Sequence, residues 1–106
     1  MSDLREKKIS SEQIFKGDLL DVRKDEVLLP NNKKGYREWV KHPGAACCIP
    51  ILNNGNIIMV KQYRYTVDEE SIELPAGKID FNESPGDCAS RELEEETGNK
   101  VNKLTF

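Results

Sequence analysis

Hydrophobic and polar residues alternate in short runs over much of the chain, and this pattern predicts strands. Within residues 14–29 the apolar side chains come in alternating pairs, which is typical of antiparallel strands with one buried face. A further strand is predicted over residues 36–41 and a short one over residues 72–75. The chain is therefore predicted to be mostly β, with hairpin connections.

The most apolar run lies at residues 45–52. Both faces of a strand there would be hydrophobic, so we expect a central, buried strand with Pro50 at a bulge or near its end. Cys47 and Cys48 are then expected to pack on its opposite faces. The sequence Asn-Asn-Gly-Asn at residues 53–56 predicts a hairpin turn that leads into residues 57–60.

One helix is predicted, over residues 85–97. Ser84 is a favourable N-cap, Pro85 suits the first helical position, and Asp87 completes a capping box. Gly98 fits the left-handed position that follows a helix. The apolar stripe of this helix is thin, so core packing alone does not account for its sequence.

The length of 106 residues predicts a single domain. Residues 1–13 are polar and are expected to form a flexible N-terminal segment, followed by one domain over residues 14–106.

Composition excludes several classes of protein. With 37% hydrophobic and 33% charged residues, and no apolar run near the roughly 20 residues of a spanning helix, a membrane-embedded protein is excluded. The charged first ten residues do not resemble a secretory signal. Three cysteines without metal-type spacing favour a reducing cytosol, so we expect a cytoplasmic protein. A net charge of −3 argues against a dedicated nucleic-acid-binding protein.

The negative charge is concentrated in the predicted helix. Residues 83–98 hold six acidic side chains and one basic side chain, a net charge of −5 in a chain whose total is −3. The remainder of the chain is therefore slightly basic, and the acidic helix is the first functional clue.

Three carboxylates are expected on one face of this helix. Glu92, Glu95 and Glu96 are spaced i, i+3 and i+4, and like charges at that spacing destabilise a helix by about 0.2–0.5 kcal/mol per pair. They also lie in its C-terminal half, where the helix dipole disfavours anions. A divalent cation would relieve both effects, and oxygen ligands match Mg²⁺ or Mn²⁺. Because Mg²⁺ usually keeps positions for phosphate oxygens, the pattern indicates a phosphate-bearing substrate.

Neighbouring residues can support such a site. Arg91 can reach Glu94 or Glu95 on the next turn, or fold back to Glu83, and an ion pair of this kind would fix a carboxylate for a metal. Gly77 allows the backbone to approach a ligand closely, and the carbonyl of Ala76 before it can supply a further oxygen.

These residues resemble the Nudix box, G-x5-E-x7-R-E-U-x-E-E-x-G-U, where U is a bulky apolar residue. Gly77, Glu83 and the run from Arg91 to Gly98 match it, and Asn99 departs from it because the family prefers an apolar residue there. The box covers residues 77–99, about a fifth of the chain. The resemblance implies an α/β (α+β) Nudix-type fold, with an N-terminal antiparallel sheet, a mixed sheet and a catalytic helix.

The flanking sequence resembles the ADP-ribose pyrophosphatase branch of this family. The resemblance implies that Arg64 and Glu73 face the substrate, with Arg64 on its phosphates, and that Trp39 stacks on adenine. Each residue also has an alternative without a ligand. Trp39 would then be a strand or interface residue, and Arg64 an ordinary surface residue. The residues that the resemblance assigns to metal binding and catalysis are Ala76 (carbonyl), Glu92, Glu95 and Glu96 as ligands, with Arg91 supporting them; Gly77, Glu83 and Gly98 are structural.

The implied activity is Mg²⁺-dependent hydrolysis of the pyrophosphate bond of a nucleotide sugar such as ADP-ribose, giving AMP and ribose 5-phosphate. Two alternatives stay open: a hydrolase of another nucleotide sugar or a dinucleotide, and a catalytically silent binding module. The family continues beyond the box with further strands and a helix, so we expect this chain to be an N-terminal portion of the domain. An unpaired sheet edge would then favour a homodimer.

Overall fold

The computed structural model describes residues 3–106. Contacts between residues divide the chain into two compact units, the first ending at His42 and the second beginning at Pro43. The elements of the described residues are β1 (Lys7–Lys16), β2 (Asp21–Leu28), β3 (Lys34–Val40), β4 (Ala45–Cys47), β5 (Val60–Arg64), β6 (Glu69–Glu73), β7 (Ala76–Lys78) and α1 (Pro85–Thr97). The predicted α+β class is confirmed.

The first unit is an antiparallel sheet in the order β1-β2-β3. β2 lies in the centre and carries the buried residues Asp21, Asp25 and Val27. β1 is exposed along its whole length, so pairing with β2 rather than burial holds it in place.

The predicted division into a flexible segment over residues 1–13 and a domain over residues 14–106 stays a prediction, and residues 1–2 lie outside the described residues. Residues 7–13 belong to β1, which continues without a break to Lys16. The polar composition of this segment concealed the strand, because an edge strand that is exposed on both faces has no hydrophobic alternation to reveal it. In the structure the division between compact units falls after His42.

The second unit packs α1 against the short β4–β7 pair. Pro75, Cys88, Ala89 and Leu93 are buried and form the core beneath the helix. A separate antiparallel hairpin, β5–β6, belongs to the same unit. No helix among residues 3–106 is long and apolar enough to cross a membrane.

The helix begins and ends where the sequence predicts. The Ser84 hydroxyl accepts a hydrogen bond from the backbone N–H of Asp87 at 3.1 Å. At the other end Gly98 has φ of 75°, and its N–H donates to the carbonyl of Glu94. Both caps satisfy backbone groups that the helix itself leaves without partners.

The prediction of a buried strand over residues 45–52 is wrong. The strand covers Ala45–Cys47, after which Ile51 forms one isolated bridge with Ile57. Cys47 is exposed and Cys48 is half-buried, so they do not pack on two faces of a buried strand. Pro50 has no N–H to donate to a ladder, so a regular strand cannot run through it, although its carbonyl accepts a hydrogen bond from the N–H of Ile58 at 3.0 Å. The predicted turn is present: Leu52 donates to the carbonyl of Asn56.

Candidate active site

The side chain of Glu92 lies directly over Gly77. A Cβ atom at residue 77 would overlap the carboxyl group of Glu92. Because α1 packs against β7, only a residue without a side chain leaves room for this carboxylate. The close approach at Gly77 in the structure is made by Glu92, and approach of a ligand to this backbone stays a prediction.

Arg91 connects the helix to the chain before it. Its Nε donates to Glu83 Oε2 at 2.8 Å and its Nη2 to Glu83 Oε1 at 3.0 Å, a two-pronged contact. Its Nη1 donates to Glu92 Oε1 at 2.9 Å and to Glu95 Oε2 at 3.2 Å. Hydrogen bonds from Arg91 lower the pKa of Glu83 from 4.5 to about 2, and Glu83 in turn raises the pKa of Arg91. Glu83 is thus fixed as an anion.

The loop between β7 and α1 is fastened by the same guanidinium. Arg91 Nη2 donates to the carbonyl of Lys78 at 3.2 Å and lies 3.4 Å from Asp80 Oδ2. Asp80 donates its backbone N–H to Glu83, and Glu83 returns a backbone hydrogen bond to the carbonyl of Asp80. Asp80 is not among the predicted site residues, although its position three residues before Glu83 is typical of a turn.

The pKa of Glu96 is shifted in the opposite direction from that of Glu83. Burial raises the pKa of Glu96, and the charge of Glu92 raises it further. A backbone hydrogen bond from Ala76 and the positive charge of Arg64 oppose this increase. Glu96 Oε2 is buried and finds no hydrogen-bond partner within residues 3–106. Two carboxylates therefore meet beside Ala76, with one buried oxygen left unsatisfied.

The predicted ligand set is only partly brought together. Glu92 and Glu96 meet beside Ala76 and Gly77, whereas Glu95 is turned towards Arg91 with 58% of its side chain exposed. Over the described part of the chain, no three His, Cys, Asp or Glu side chains are grouped so that they could hold a metal ion.

A hard cation nevertheless fits the pair that is present. Mg²⁺ commonly takes only one or two protein carboxylates and completes its shell with water and phosphate oxygens. The unsatisfied Glu96 Oε2 and the proximity of Glu92 provide the negative charge and the free lone pairs that such an ion needs. A pair of carboxylates matches zinc less well, because protein zinc sites usually include Cys sulfur or His nitrogen.

Arg64 and Glu73 form an ion pair on the β5–β6 hairpin. Arg64 Nε donates to Glu73 Oε2 at 2.8 Å, and its Nη2 donates to Glu73 Oε1. Arg64 lowers the pKa of Glu73 from 4.5 to about 2. Arg64 also interacts electrostatically with Glu96, which places the positive charge of the hairpin near the carboxylates of α1.

Trp39 lies in the first unit. It is on β3 opposite Arg23 of β2, and 42% of its surface is exposed. Its indole therefore presents open aromatic surface on the sheet.

Comparison with known proteins gives two matched domains. Residues 41–106 match the family described as the NUDIX domain, and residues 6–40 match the nucleoside diphosphate sugar hydrolase N-terminal domain. The boundary between the two matches agrees with the division into compact units at residue 42.

Similar proteins cover nearly all of this chain. An ADP-ribose pyrophosphatase of Bacillus subtilis is 49% identical over 99% of the chain and 57% of its own length. A methanol dehydrogenase activator of Bacillus methanolicus is 46% identical over 95% of the chain and 55% of its own length. The chain thus spans about half the length of the curated relatives it matches. A crystal structure of an ADP compounds hydrolase superposes with a TM-score of 0.83 at 25% identity, over 100% of this chain and 58% of the other. The match over residues 41–106, which include the Glu92–Glu96 pair, shows that the chain belongs to the Nudix family.

Proposed function

We propose that the protein hydrolyses the pyrophosphate bond of a nucleoside diphosphate sugar, with ADP-ribose as substrate and Mg²⁺, or Mn²⁺ in its place, as cofactor. The observation that carries the proposal is the meeting of Glu92 and Glu96 beside Ala76, with the Oε2 atom of Glu96 buried and unsatisfied. The similarity to an ADP-ribose pyrophosphatase supports the choice of substrate.

In this proposal Glu92 and Glu96 bind the cation, and the carbonyl of Ala76 is the third candidate ligand. Bound Mg²⁺ would neutralise the charge of the pyrophosphate and lower the pKa of the attacking water. Glu95 acts through Arg91, to which it is hydrogen-bonded, rather than as the main ligand. Arg91 orients Glu92 through their 2.9 Å contact, because a carboxylate with one oxygen held keeps the other in a defined direction.

Substrate phosphates are assigned to Arg64. Its charge already acts on Glu96, and its guanidinium is held by hydrogen bonds to Glu73. A guanidinium is suited to bind two phosphate oxygens at once. Water attacks one phosphorus, the bond from that phosphorus to the bridging oxygen breaks, and the products are AMP and ribose 5-phosphate.

Three further proposals concern the binding of adenine, the oligomeric state and the cellular location of the protein. Trp39 is proposed to stack on adenine with its exposed face. A homodimer is proposed because the edge strand β1 is exposed along its whole length. A cytoplasmic location is supported by the thiols of Cys47, Cys48 and Cys88, which are free.

The test is release of AMP from ADP-ribose with Mg²⁺, measured by chromatography. Glu96→Gln should reduce turnover by about 10–100-fold or more, the usual effect of disturbing a metal ligand or its support. Glu94→Gln is the matched control, since Glu94 is on the same helix but is exposed. Within the described residues, its one ion pair is with Lys100, at 4.0 Å. Equal turnover by wild type and Glu96→Gln would contradict the proposed site.

A second candidate is a binding module that does not turn over its ligand. The name of the Bacillus methanolicus relative, methanol dehydrogenase activator, favours it because that name describes an effect on another protein. Binding of ADP-ribose with no AMP formed at high protein concentration would favour this candidate. Comparison of ADP-ribose with other nucleotide sugars and dinucleotides separates the hydrolase alternatives.

A further inference from the structure

The guanidinium of Arg91 is shared by more carboxylates than it can neutralise. Its ion-pair partners are Glu83, Glu92, Glu95 and Asp80, with N–O distances of 2.8, 2.9, 3.2 and 3.4 Å. Four negative charges therefore compete for one positive charge. Asp80 is the one among these partners that has no role in the proposed function.

The two terminal nitrogens of this guanidinium face different parts of the chain. Nη1 contacts the helix, where Glu92 and Glu95 accept its hydrogen bonds. Nη2 contacts the chain before the helix, where Glu83 and the carbonyl of Lys78 accept its hydrogen bonds. An arginine side chain has five N–H groups, and these contacts, together with the one from Nε to Glu83, use all of them. A further partner of Arg91 can therefore act on it only by charge.

Asp80 adds its charge on the side of Nη2. Its Oδ2 atom lies 3.4 Å from Nη2 of Arg91, and 61% of its side chain is exposed. The backbone of Asp80 makes separate contacts, because its N–H donates to the Glu83 carboxylate and its carbonyl accepts from the Glu83 N–H. The carboxylate of Asp80 can thus be removed while the turn keeps its hydrogen bonds.

Arg91 holds two of its carboxylates in different ways. It contacts both oxygens of Glu83, whereas within the described residues it contacts only Oε1 of Glu92. A guanidinium that turned to take both oxygens of Glu92 would form a strong two-pronged pair and would compete with a cation for that carboxylate. The charge of Asp80 opposes such a rotation, because it attracts Nη2 away from the helix.

We propose that Asp80 is a positioning residue, which keeps the second oxygen of Glu92 free for a divalent cation by holding Arg91 away from it. The inference rests on the proposed function for the presence of the cation. It goes further in assigning a role to Asp80, which acts through Arg91 and does not itself contact the cation.

The experiment measures the binding of Mn²⁺, because the free ion gives an electron paramagnetic resonance signal that is lost when the ion binds to protein. Wild type is compared with Asp80→Asn, which removes the charge and keeps the size, and with Asp80→Glu, which keeps the charge. Glu94→Gln is the matched control, because it removes one negative charge from α1 without removing a contact of Arg91. The Tm of each protein is measured without metal.

We expect Asp80→Asn to raise the Kd for Mn²⁺ about threefold, the effect of losing one exposed ion pair, and Asp80→Glu to bind nearly as wild type does. Glu94→Gln should raise the Kd less, although its charge lies on the same helix as Glu92. Equal increases in Asp80→Asn and Glu94→Gln would show a general effect of net charge and overturn the proposal. A purely structural role would lower the Tm of Asp80→Asn and leave the Kd of its folded fraction unchanged, which would also overturn it.

Arg91→Gln gives a second test, which asks whether Asp80 acts through Arg91. Without the guanidinium, Asp80→Asn should have no further effect on the Kd for Mn²⁺. The same increase in both backgrounds would overturn the proposal.

Release of AMP from ADP-ribose is measured separately, so that the two proposals can fail independently. A protein that binds Mn²⁺ with the expected differences but releases no AMP would contradict the proposed function and support the role of Asp80. A hydrolase in which Asp80→Asn binds Mn²⁺ as tightly as wild type would contradict only the role of Asp80.

Discussion

The carboxyl group of Glu92 occupies the space that a side chain at residue 77 would fill. Gly77 belongs to β7 and Glu92 to α1, so this overlap fixes how closely the helix approaches the strand at the proposed metal site. The glycine is required by a neighbouring side chain and not by its backbone angles, since its φ is not among the positive values.

Gly77→Ala should therefore displace Glu92 and reduce activity by about 10–100-fold, as expected when a carboxylate near a metal is moved. The matched control is Gly35→Ala, where an added Cβ would meet only the flexible end of Leu29, at 3.3 Å. Turnover of ADP-ribose and the Mg²⁺-induced change in Tm are the measurements. A Gly77→Ala protein with full activity would contradict the proposed role of Glu92.

Arg91→Lys should lower Tm by several degrees and reduce activity. Lysine keeps the charge but cannot contact Glu83 with two nitrogens while also reaching Glu92. The control is Arg37→Lys, which changes a similar but more exposed pair with Glu6. Exposed ion pairs contribute little, so that variant should melt close to wild type. Equal losses in both variants would show that the Arg91 contacts have no special role.

Stability should fall as the pH decreases below about 4.5. The pKa values of Glu83 and Glu73 are both lowered from 4.5 to about 2 by their arginine partners. Such carboxylates stabilise the fold above pH 4.5, and this contribution is lost progressively as the pH falls towards 2. Thermal melts across this range should show that Tm depends less on pH in Glu83→Gln than in wild type. The double variant that carries both Glu83→Gln and Glu73→Gln should show the smallest dependence. An unchanged profile would contradict the ion pairs.

Metal addition should distinguish Glu96 from Glu95. Burial and the charge of Glu92 raise the pKa of Glu96, so its stabilising contribution is lost as the pH rises through that higher value. At neutral pH, Glu96→Gln should then melt at a higher temperature than wild type without metal, but gain nothing from millimolar Mg²⁺. Glu95→Gln should keep most of the Mg²⁺-induced increase in Tm, because Glu95 is turned towards Arg91. The reverse ranking would make Glu95 the main ligand.

The three cysteines should react with an alkylating agent in a fixed order. Cys47 is exposed, Cys48 is half-buried with a pKa raised by burial, and Cys88 is 0% exposed with a pKa raised mainly by burial. Reaction requires an accessible thiolate. Mass spectrometry should therefore detect modification of Cys47 first and of Cys88 only after denaturant is added. Early modification of Cys88 would contradict the packing of α1.

The helix could be predicted from the sequence because its signals are local. Ser84 and Gly98 lie at its two ends, and their capping depends on residues within one turn. The edge strand β1 could not be predicted in this way, since its only support is pairing with β2 and its side chains face solvent. Residues 48–52 were misassigned because hydrophobicity does not record the missing N–H of Pro50.

At the site, too, the features that depend on neighbouring residues in the sequence could be predicted, and those that depend on tertiary packing could not. Helical spacing was sufficient to place Glu92 and Glu96 on neighbouring turns. It could not show that Arg91 holds Glu95 on one side while the Oε2 atom of Glu96 is buried on the other, because that depends on which side of the helix packs against Gly77.

The attachment of one guanidinium to Lys78, Asp80 and Glu83 limits how this segment of the chain can change length in evolution. Surface loops usually accept insertions at small cost in chain entropy. An added residue in this segment would move the Lys78 carbonyl, Asp80 and Glu83 so that they could no longer all contact the guanidinium of Arg91. Natural variation between Gly77 and Glu83 should therefore consist of substitutions, with insertions and deletions confined to connections such as the one between β5 and β6.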